Sequence, residues 1–411
     1  MKAAIRHLVR NRRRSLLTLL AVLCPVFALV VMFGFASANL SDMFDTVTRV
    51  DTGHLQIRHV DTRAAGSATA LMQDPSHALE ALAGIDGIEW YTARLDLPAL
   101  ASAGDRSRTV LIQGVVPEEI DPISSTRSLI VAGTYLTSDS LGVVIGKELA
   151  DLLKVGVGDD LVLLGAHPET GVGVLRVPVV GIVDAPIAEM GRSVVQAPLA
   201  LTRQLARSAT AATAVVVRVA GVTGPWDSDR IDAVAANLRA VLPADYGVLD
   251  WRDLVPQVDV FLRILNPALL IVAAIFFGLG ALVVLNTVYL SVMERTRELG
   301  LVLSLGASRG RVMRSILSEA GILAGVGAVG GALGGVGLVW IVEALGGIPL
   351  PAEYSAFAKA VGINSVLHLR VDAPQVLLAA AAMAAVAVLA AWVPALRASN
   401  LEPVEAMRYV E

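Results

Sequence analysis

The sequence has a single cysteine, no excess of basic residues, no His-Glu-x-x-His helix and no Gly-x-x-x-x-Gly-Lys-Ser/Thr loop. The lone thiol, Cys24, rules out a disulfide framework within one chain and leaves no plausible zinc cluster, which needs several Cys or His ligands. Cys24 lies inside an apolar run, so burial rather than reactivity is its expected fate. A net charge of −4 gives no footprint for nucleic acid, and the arginines are clustered rather than spread. There is no His-Glu-x-x-His helix, and the Gly-x-Ser-x-Gly match at Gly306-Ala-Ser308-Arg-Gly310 lies between two helical patterns rather than on the strand-to-helix turn a nucleophile elbow needs, which argues against a hydrolase. A Gly-x-x-x-x-Gly-Lys-Ser/Thr loop is also missing, so this chain is expected to hold no cofactor, and any ATP with its magnesium must be bound by another polypeptide.

What the sequence has is apolar length. Hydrophobic residues make up 55% of its 411 positions and the mean hydropathy is +0.66, beyond the range of an ordinary soluble protein. Runs of about 20 apolar residues, enough for a helix to cross the hydrocarbon core, occur at 15–37, 267–292, 316–345 and 374–396. The first follows Arg12, Arg13 and Arg14 and ends in Ala36-Ser37-Ala38, a pattern that resembles a cleaved signal. Its length exceeds a signal core and its helical pattern continues past the cleavage point, so an uncleaved helix is expected.

Lys and Arg concentrate in the amino-terminal arm, in the 293–314 connection (Arg295, Arg297, Arg309, Arg311, Arg314) and in the tail (Arg397, Arg408). The positive-inside rule places all three in the cytoplasm. The chain then divides into a basic arm (1–14), span one with a stalk (15–50), an extracytoplasmic domain (51–250) and a stalk with span two (251–292). A cytoplasmic connection (293–314), span three (315–345), an outer loop (346–372), span four (373–396) and a cytoplasmic tail (397–411) follow. The expected location is the inner membrane of a bacterium, multi-pass, with both termini inside.

Leu40, Met43, Phe44, Val47 and Val50 recur at helical spacing after span one, as do Leu254, Val258, Phe261, Leu262 and Leu265 before span two, so both spans project outward as amphipathic stalks. Between them, 54–58, 109–113, 142–145, 161–164 and 175–183 read as strands and 76–84, 147–154 and 229–242 as helices. The fold class is therefore α-helical membrane protein with four spans and a mixed α/β extracytoplasmic domain between spans one and two. His54 and His59 lie near Asp51 and Asp61, but five residues apart on a strand they point to opposite faces and make a poor metal site. Gly156-Val-Gly158-Asp159-Asp160 reads as a turn rather than a cation site.

Residues 325–330 formally match a dinucleotide fingerprint, yet they lie inside a span with no preceding strand. The spacings of Gly321 and Gly325, and of Gly327, Gly331 and Gly335, instead suit close helix packing in lipid. Asn286 in span two can hydrogen-bond a neighbouring helix, and Glu319 and Glu343 near the ends of span three are expected to anchor it rather than carry protons.

The segment Glu294-Arg-Thr-Arg-Glu-Leu-Gly300-Leu-Val-Leu-Ser-Leu-Gly306-Ala-Ser308 joins a charged helix exit to an amphipathic stretch and a Gly-Ala-Ser break, a pattern suited to docking in a groove. It resembles the signature of the MacB/FtsX/LolC-LolE superfamily of ABC permeases (type VII fold). Ser318-Glu-Ala-Gly321, the segment 146–159 and the tail 394–408 agree with that family, and Asp51-Thr-Gly-His-Leu-Gln-Ile57 looks most like its lipoprotein-releasing LolC/LolE branch. The resemblance implies a MacB-like periplasmic domain, a pair of permeases, identical or paralogous, on a cytoplasmic ATPase dimer, and work done by mechanotransmission without catalysis on this chain. It further implies a coupling helix with Leu299, Val302 and Leu303 as docking contacts, Glu294, Arg295, Arg297 and Glu298 at the rim, and Gly306 at the turn. A lipoprotein's acyl chains would enter an apolar cavity lined by Phe33, Met43, Phe44, Phe261, Leu262 and Leu265. The absence of a fused ATPase separates the chain from exporters of the MacB kind, while export of a drug, peptide or lipid and signalling to a cell-wall hydrolase remain alternatives.

Overall fold

The computed structural model describes residues 12–60, 71–120, 124–167, 171–351, 353–354 and 366–400. Asp61, Lys359 and the tail from Leu401, including Arg408, lie outside the described residues, as does the arm before Arg12. Two compact units emerge, one helical, from within 1–39, 263–348 and 366–411, and one built on 40–262 with 349–365.

Four helices are long and apolar enough to cross a membrane: α1 (Arg12–Val47), α2 (Pro256–Glu294), α4 (Arg309–Ala344) and α5 (Ala373–Ser399). The short α3 (Thr296–Ser304) connects α2 to α4. In the helical unit Val22, Val26 and Val30 of α1 meet Val284 and Val288 of α2, Ala320, Ala324 and Ala328 of α4, and Met383, Ala387 and Ala391 of α5. The small side chains on α4 and α5 recur every four residues, which brings the helix backbones close where no hydrophobic effect drives association. Interhelical polar contact adds to this, with the Thr18 hydroxyl donating to the Thr287 hydroxyl at 3.1 Å.

The second unit is a single mixed sheet of ten strands: β1 (Leu55–His59), β2 (Ile88–Ala103), β3 (Arg106–Val115), β4 (Ile130–Gly133), β5 (Val143–Gly146), β6 (Asp160–His167), β7 (Gly171–Val183), β8 (Val194–Pro198), β9 (Ala214–Val219) and β10 (Tyr246–Asp250). Their spatial order is β10-β1-β9-β2-β3-β8-β5-β7-β4, with β6 pairing to β2 and β7. The β3/β8 and β5/β7 pairs are parallel and the rest antiparallel. Helices Ser76–Ala83, Lys147–Leu153 and Ser228–Val241 form where the apolar spacing anticipates them. Leu95, Leu97, Ile112, Ile145, Leu161 and Val195 are fully buried in the main core, each such side chain contributing roughly 1.5–3 kcal/mol.

Strand β2 runs straight through Pro98. On one edge it pairs with β9 over Ile88–Arg94 and with β6 over Ala99–Ser102, so Pro98 falls between two partners on that edge, while on the other edge it stands opposite Leu111 of β3. Strands β1 and β10 are antiparallel neighbours, Leu55 opposite Asp250. The two ends of the sheet unit's chain therefore leave from adjacent strands.

Candidate functional site

The junction between α1 and β1 is made by a change of backbone form. After Val47 the helix widens into one π-turn over Thr48–Thr52, and the Gly53 N–H donates to the Thr48 carbonyl at 2.9 Å. Gly53 then adopts φ +66°, and a Cβ there would lie 2.5 Å from Val216 Cγ1 and 3.0 Å from the Val217 carbonyl oxygen. Only glycine fits this position.

Gly53 turns His54 inward. Its ring is stacked on Phe44, centroids 5.6 Å apart, and Phe44 meets Trp251 edge-on at 5.2 Å. Main-chain bonds run from the His54 N–H to the Val217 carbonyl (2.9 Å) and from the Trp251 N–H to the His54 carbonyl (3.2 Å). The Val219 N–H donates to His54 Nδ1 at 3.0 Å, fixing a neutral ring with its proton on Nε2. Burial, reinforced by the positive charges of Arg218 and Arg49, lowers the His54 pKa from 6.5 to about 4. On the exit side Asp250 caps the turn Trp251–Leu254, accepting from the Arg252 and Asp253 N–H groups at 2.8 and 3.0 Å. One aromatic and imidazole cluster thus joins α1's end, β1, β9 and the turn after β10.

The residues expected to line an apolar cavity are placed differently from one another. Phe44 is 1% exposed and committed to packing against His54 and Trp251. Phe33 packs with Leu29, Ala273 and Ala379 in the helical unit. Leu262 is buried, Met43 and Leu265 are half-buried, and Phe261 alone is exposed. His54 serves the Val219 N–H, and among the described residues no three His, Cys, Asp or Glu groups assemble for a metal. Asp159 accepts from the Gly156 N–H at 2.7 Å, closing the turn read there.

Helix α3 has two unlike faces. Thr296 and Gly300 are buried, and Leu299 and Leu303 are half-buried on the same side. The outward side carries Arg297, Glu298, Leu301, Val302 and Leu305, the last 80% exposed. Of the three apolar residues expected to dock a partner, Val302 faces out, whereas Leu299 and Leu303 face the bundle. The outward apolar row is Leu301, Val302 and Leu305. Gly306, at φ +90°, ends the helix, its N–H bonded to the Leu303 carbonyl.

Arg295, in a non-helical conformation before α3, reaches Glu298 at 3.4 Å and Glu319 on α4 at 3.3 Å. Arg295, Leu299 and Glu319 border a cavity of about 50 Å³ with Thr18 and Thr287. The acid at the other end of α4, Glu343, accepts from the Leu369 N–H at 2.6 Å and lies 3.2 Å from His368 Nδ1. Both acids of α4 are thus tied to neighbouring segments.

The glycines divide by face. A Cβ on Gly327, Gly331 or Gly335 would come within 2.9, 2.5 and 2.8 Å of Leu19 O, Leu23 O and Val30 Cβ on α1. Gly325 has no neighbour within 4 Å and Gly321 only Val388 Cγ2 at 3.9 Å. Six residues separate Gly321 from Gly327, which turns them to different sides of a 3.6-residue helix. The close packing belongs to the last three.

Residues 15–241 match the MacB-like periplasmic core domain, and residues 270–403 match the FtsX-like permease C-terminal domain. A mixed α/β domain set between the first and second of four membrane-length helices, followed by that permease unit, defines the membrane subunit of an ABC transporter. The chain belongs to the MacB/FtsX/LolC superfamily of ABC permeases, and membership implies an ATPase partner. It is 24% identical to the lipoprotein-releasing system transmembrane protein LolC of Xylella fastidiosa, over 98% of this chain and 97% of that one. It is 26% identical to a macrolide export ATP-binding/permease protein MacB of Hyphomonas neptunium, over 99% of this chain and 60% of that protein. The ABC transporter permease YknZ of Bacillus subtilis is 22% identical over 100% of this chain and 98% of its own length.

Proposed function

We propose that this permease works by mechanotransmission with a separate cytoplasmic ATPase and extracts lipoproteins from the outer leaflet of the bacterial inner membrane. The observation that carries the reading is the junction built on Asp51-Thr-Gly-His-Leu-Gln-Ile57, the segment that resembles the LolC/LolE branch. It clamps the end of α1 and the turn before α2 to one side of one sheet through Phe44, His54 and Trp251. A clamp of this kind passes a movement of either stalk to the whole sheet instead of absorbing it in a loop. End-to-end likeness to LolC supports the same branch.

In this reading the termini and α3 are cytoplasmic, in line with the Lys/Arg distribution. The ATPase seats on Leu301, Val302 and Leu305, with Arg297 and Glu298 at the rim. ATP closes the ATPases around this contact, and the closed and open states differ in their hold on α3, which is the condition for ATP to shift the permease. Arg295 carries that displacement to α4 through Glu319. The stalks then move the periplasmic sheet, and the lipoprotein leaves the membrane without crossing it.

The test is reconstitution of the copurified permease and ATPase in liposomes containing a triacylated lipoprotein. ATP-dependent release into the soluble fraction is the expected result. ATP turnover without release, together with a copurifying adaptor or cell-wall hydrolase, transfers the protein to export or signalling, and purification without any ATPase overturns the reading altogether.

A further inference from the structure

We propose that the sheet unit carries a binding site for a small zwitterion of the amino-acid class, its carboxylate held by Arg58 and Arg94 and its ammonium group by Asp253. The site is a cavity of about 350 Å³ bordered by Gln56 and Arg58 of β1, Arg94 of β2, Leu249 of β10, and Asp253 and Leu254 of the turn that follows β10. That volume is at the small end of the range in which proteins hold small molecules.

Strand register brings the two arginines to one place. Gln56 stands opposite Val216 of β9, and Val216 stands opposite Thr92 of β2. Two residues further along each strand, Arg58 and Arg94 rise from the same face of the sheet, and their strands are two spacings, roughly 9.5 Å, apart. At that level β9 contributes Ala214, the partner of Arg94 in the ladder. Only a methyl group therefore stands between the strands that carry the two guanidinium groups.

Both arginines are held in position. Arg94 is 5% exposed, and its Nε and Nη2 donate to Asp96 Oδ2 at 3.1 and 2.9 Å. Gln56 is fully buried, donates to the Thr52 carbonyl at 2.8 Å and accepts from Arg58 Nε at 2.8 Å. The buried amide thus fixes the direction of Arg58 at the cavity wall. A guanidinium has five N–H donors in a rigid fork, so it can serve these acceptors and a carboxylate together.

Charge and lining narrow the class of ligand. Arg58 and Arg94 are balanced by Asp96 and Asp253, so a simple anion or a simple cation would leave one sign in excess, whereas a ligand with both does not. Leu249 and Leu254 are half-buried and offer contact to an apolar side chain. The polar groups at the wall exclude an acyl chain, because its burial would strip them of water without replacing a hydrogen bond. The occupant is therefore not the lipid part of a lipoprotein.

The experiment is calorimetric titration of the full-length permease in mild detergent with L-leucine, N-acetyl-L-leucine, L-leucine amide and inorganic phosphate. L-Leucine should bind and raise the melting temperature, and the blocked analogues and phosphate should bind at least about tenfold more weakly. Arg58→Gln should weaken L-leucine roughly ten- to hundredfold. Asp253→Asn keeps an oxygen for the Asp250 N–H, and should weaken L-leucine while leaving N-acetyl-L-leucine unchanged. Arg94 is left in place, because taking it away would strip a buried aspartate of its ion pair. Should Arg58→Gln fail to fold, Asp253→Asn, at an exposed position, carries the test alone. Absence of both heat and a melting shift with millimolar L-leucine overturns the site. Equal affinity for N-acetyl-L-leucine or phosphate overturns the zwitterion assignment, and an unchanged affinity in both variants places the ligand elsewhere. The permease reading is decided separately, by copurification of an ATPase.

Discussion

Acidification should loosen the periplasmic domain through one residue. His54 is 2% exposed, accepts a hydrogen bond from the Val219 N–H, and has its pKa held near 4 against 6.5 in the unfolded chain. The folded state thus binds fewer protons than the unfolded state between these values. Its stability is full above pH 6.5, falls as pH drops, and loses nothing further from this group below about 4. The whole gap corresponds to roughly 3 kcal/mol, of which about 2 kcal/mol is lost by pH 5. His54→Asn keeps an oxygen acceptor for Val219 and removes the titration. The assay is urea unfolding of the detergent-solubilised permease at pH 7.5 and pH 5, with hydrogen exchange of the peptide containing Val219 as the local readout. Wild type should lose about 2 kcal/mol more than His54→Asn over this range. Parallel losses in the two proteins would refute the reasoning, because carboxylates elsewhere titrate in both.

Two further perturbations separate faces that lie close in sequence. On α3, Val302→Asp or Leu305→Asp should abolish copurification of the ATPase while leaving thermal stability within about 0.5 kcal/mol, whereas Leu299→Ser should lower stability by about 1–3 kcal/mol; equal loss of the ATPase with both would show that the helix has no dedicated docking side. On α4, Gly331→Ala should cost about 1–3 kcal/mol by overpacking against the Leu23 carbonyl and Gly325→Ala should be neutral or slightly stabilising, read as melting temperatures in detergent.

The membrane helices were the most legible part of the chain, because the hydrocarbon core demands about 20 apolar residues and nothing in the domain mimics such a run. The strands with alternating burial, such as β7, were legible for a similar reason. β9 was not: all six of its residues are buried, so it has no alternation to read. β2 was hidden by Pro98, which normally argues against an inner strand and sits here where one edge of the strand changes partner from β9 to β6. At α3 the periodicity revealed an amphipathic helix but could not choose between two apolar rows in nine residues. The choice is made by Thr296 and Gly300, whose small size brings that side against the bundle, and by Arg295 gripping Glu319. Phe44 illustrates a different limit. Its helical spacing was readable, but its partner His54 lies beyond the π-turn, and only the φ of Gly53 brings the ring back onto it.

The adjacency of β1 and β10 bears on how such proteins diversify. Leu55 and Asp250 face each other in register, so the points where the chain leaves and rejoins the stalks are about 5 Å apart. Nearly two hundred residues between them form a cassette whose ends meet, the geometry in which one domain can be lifted out and another inserted without moving the flanking helices. A chimaera carrying a relative's domain between positions 54 and 251 should keep the spacing of the flanking segments, provided the inserted domain replaces the β9 contacts that hold Gly53 and His54. The same adjacency would let the membrane helices be kept while the domain between the first two of them is replaced.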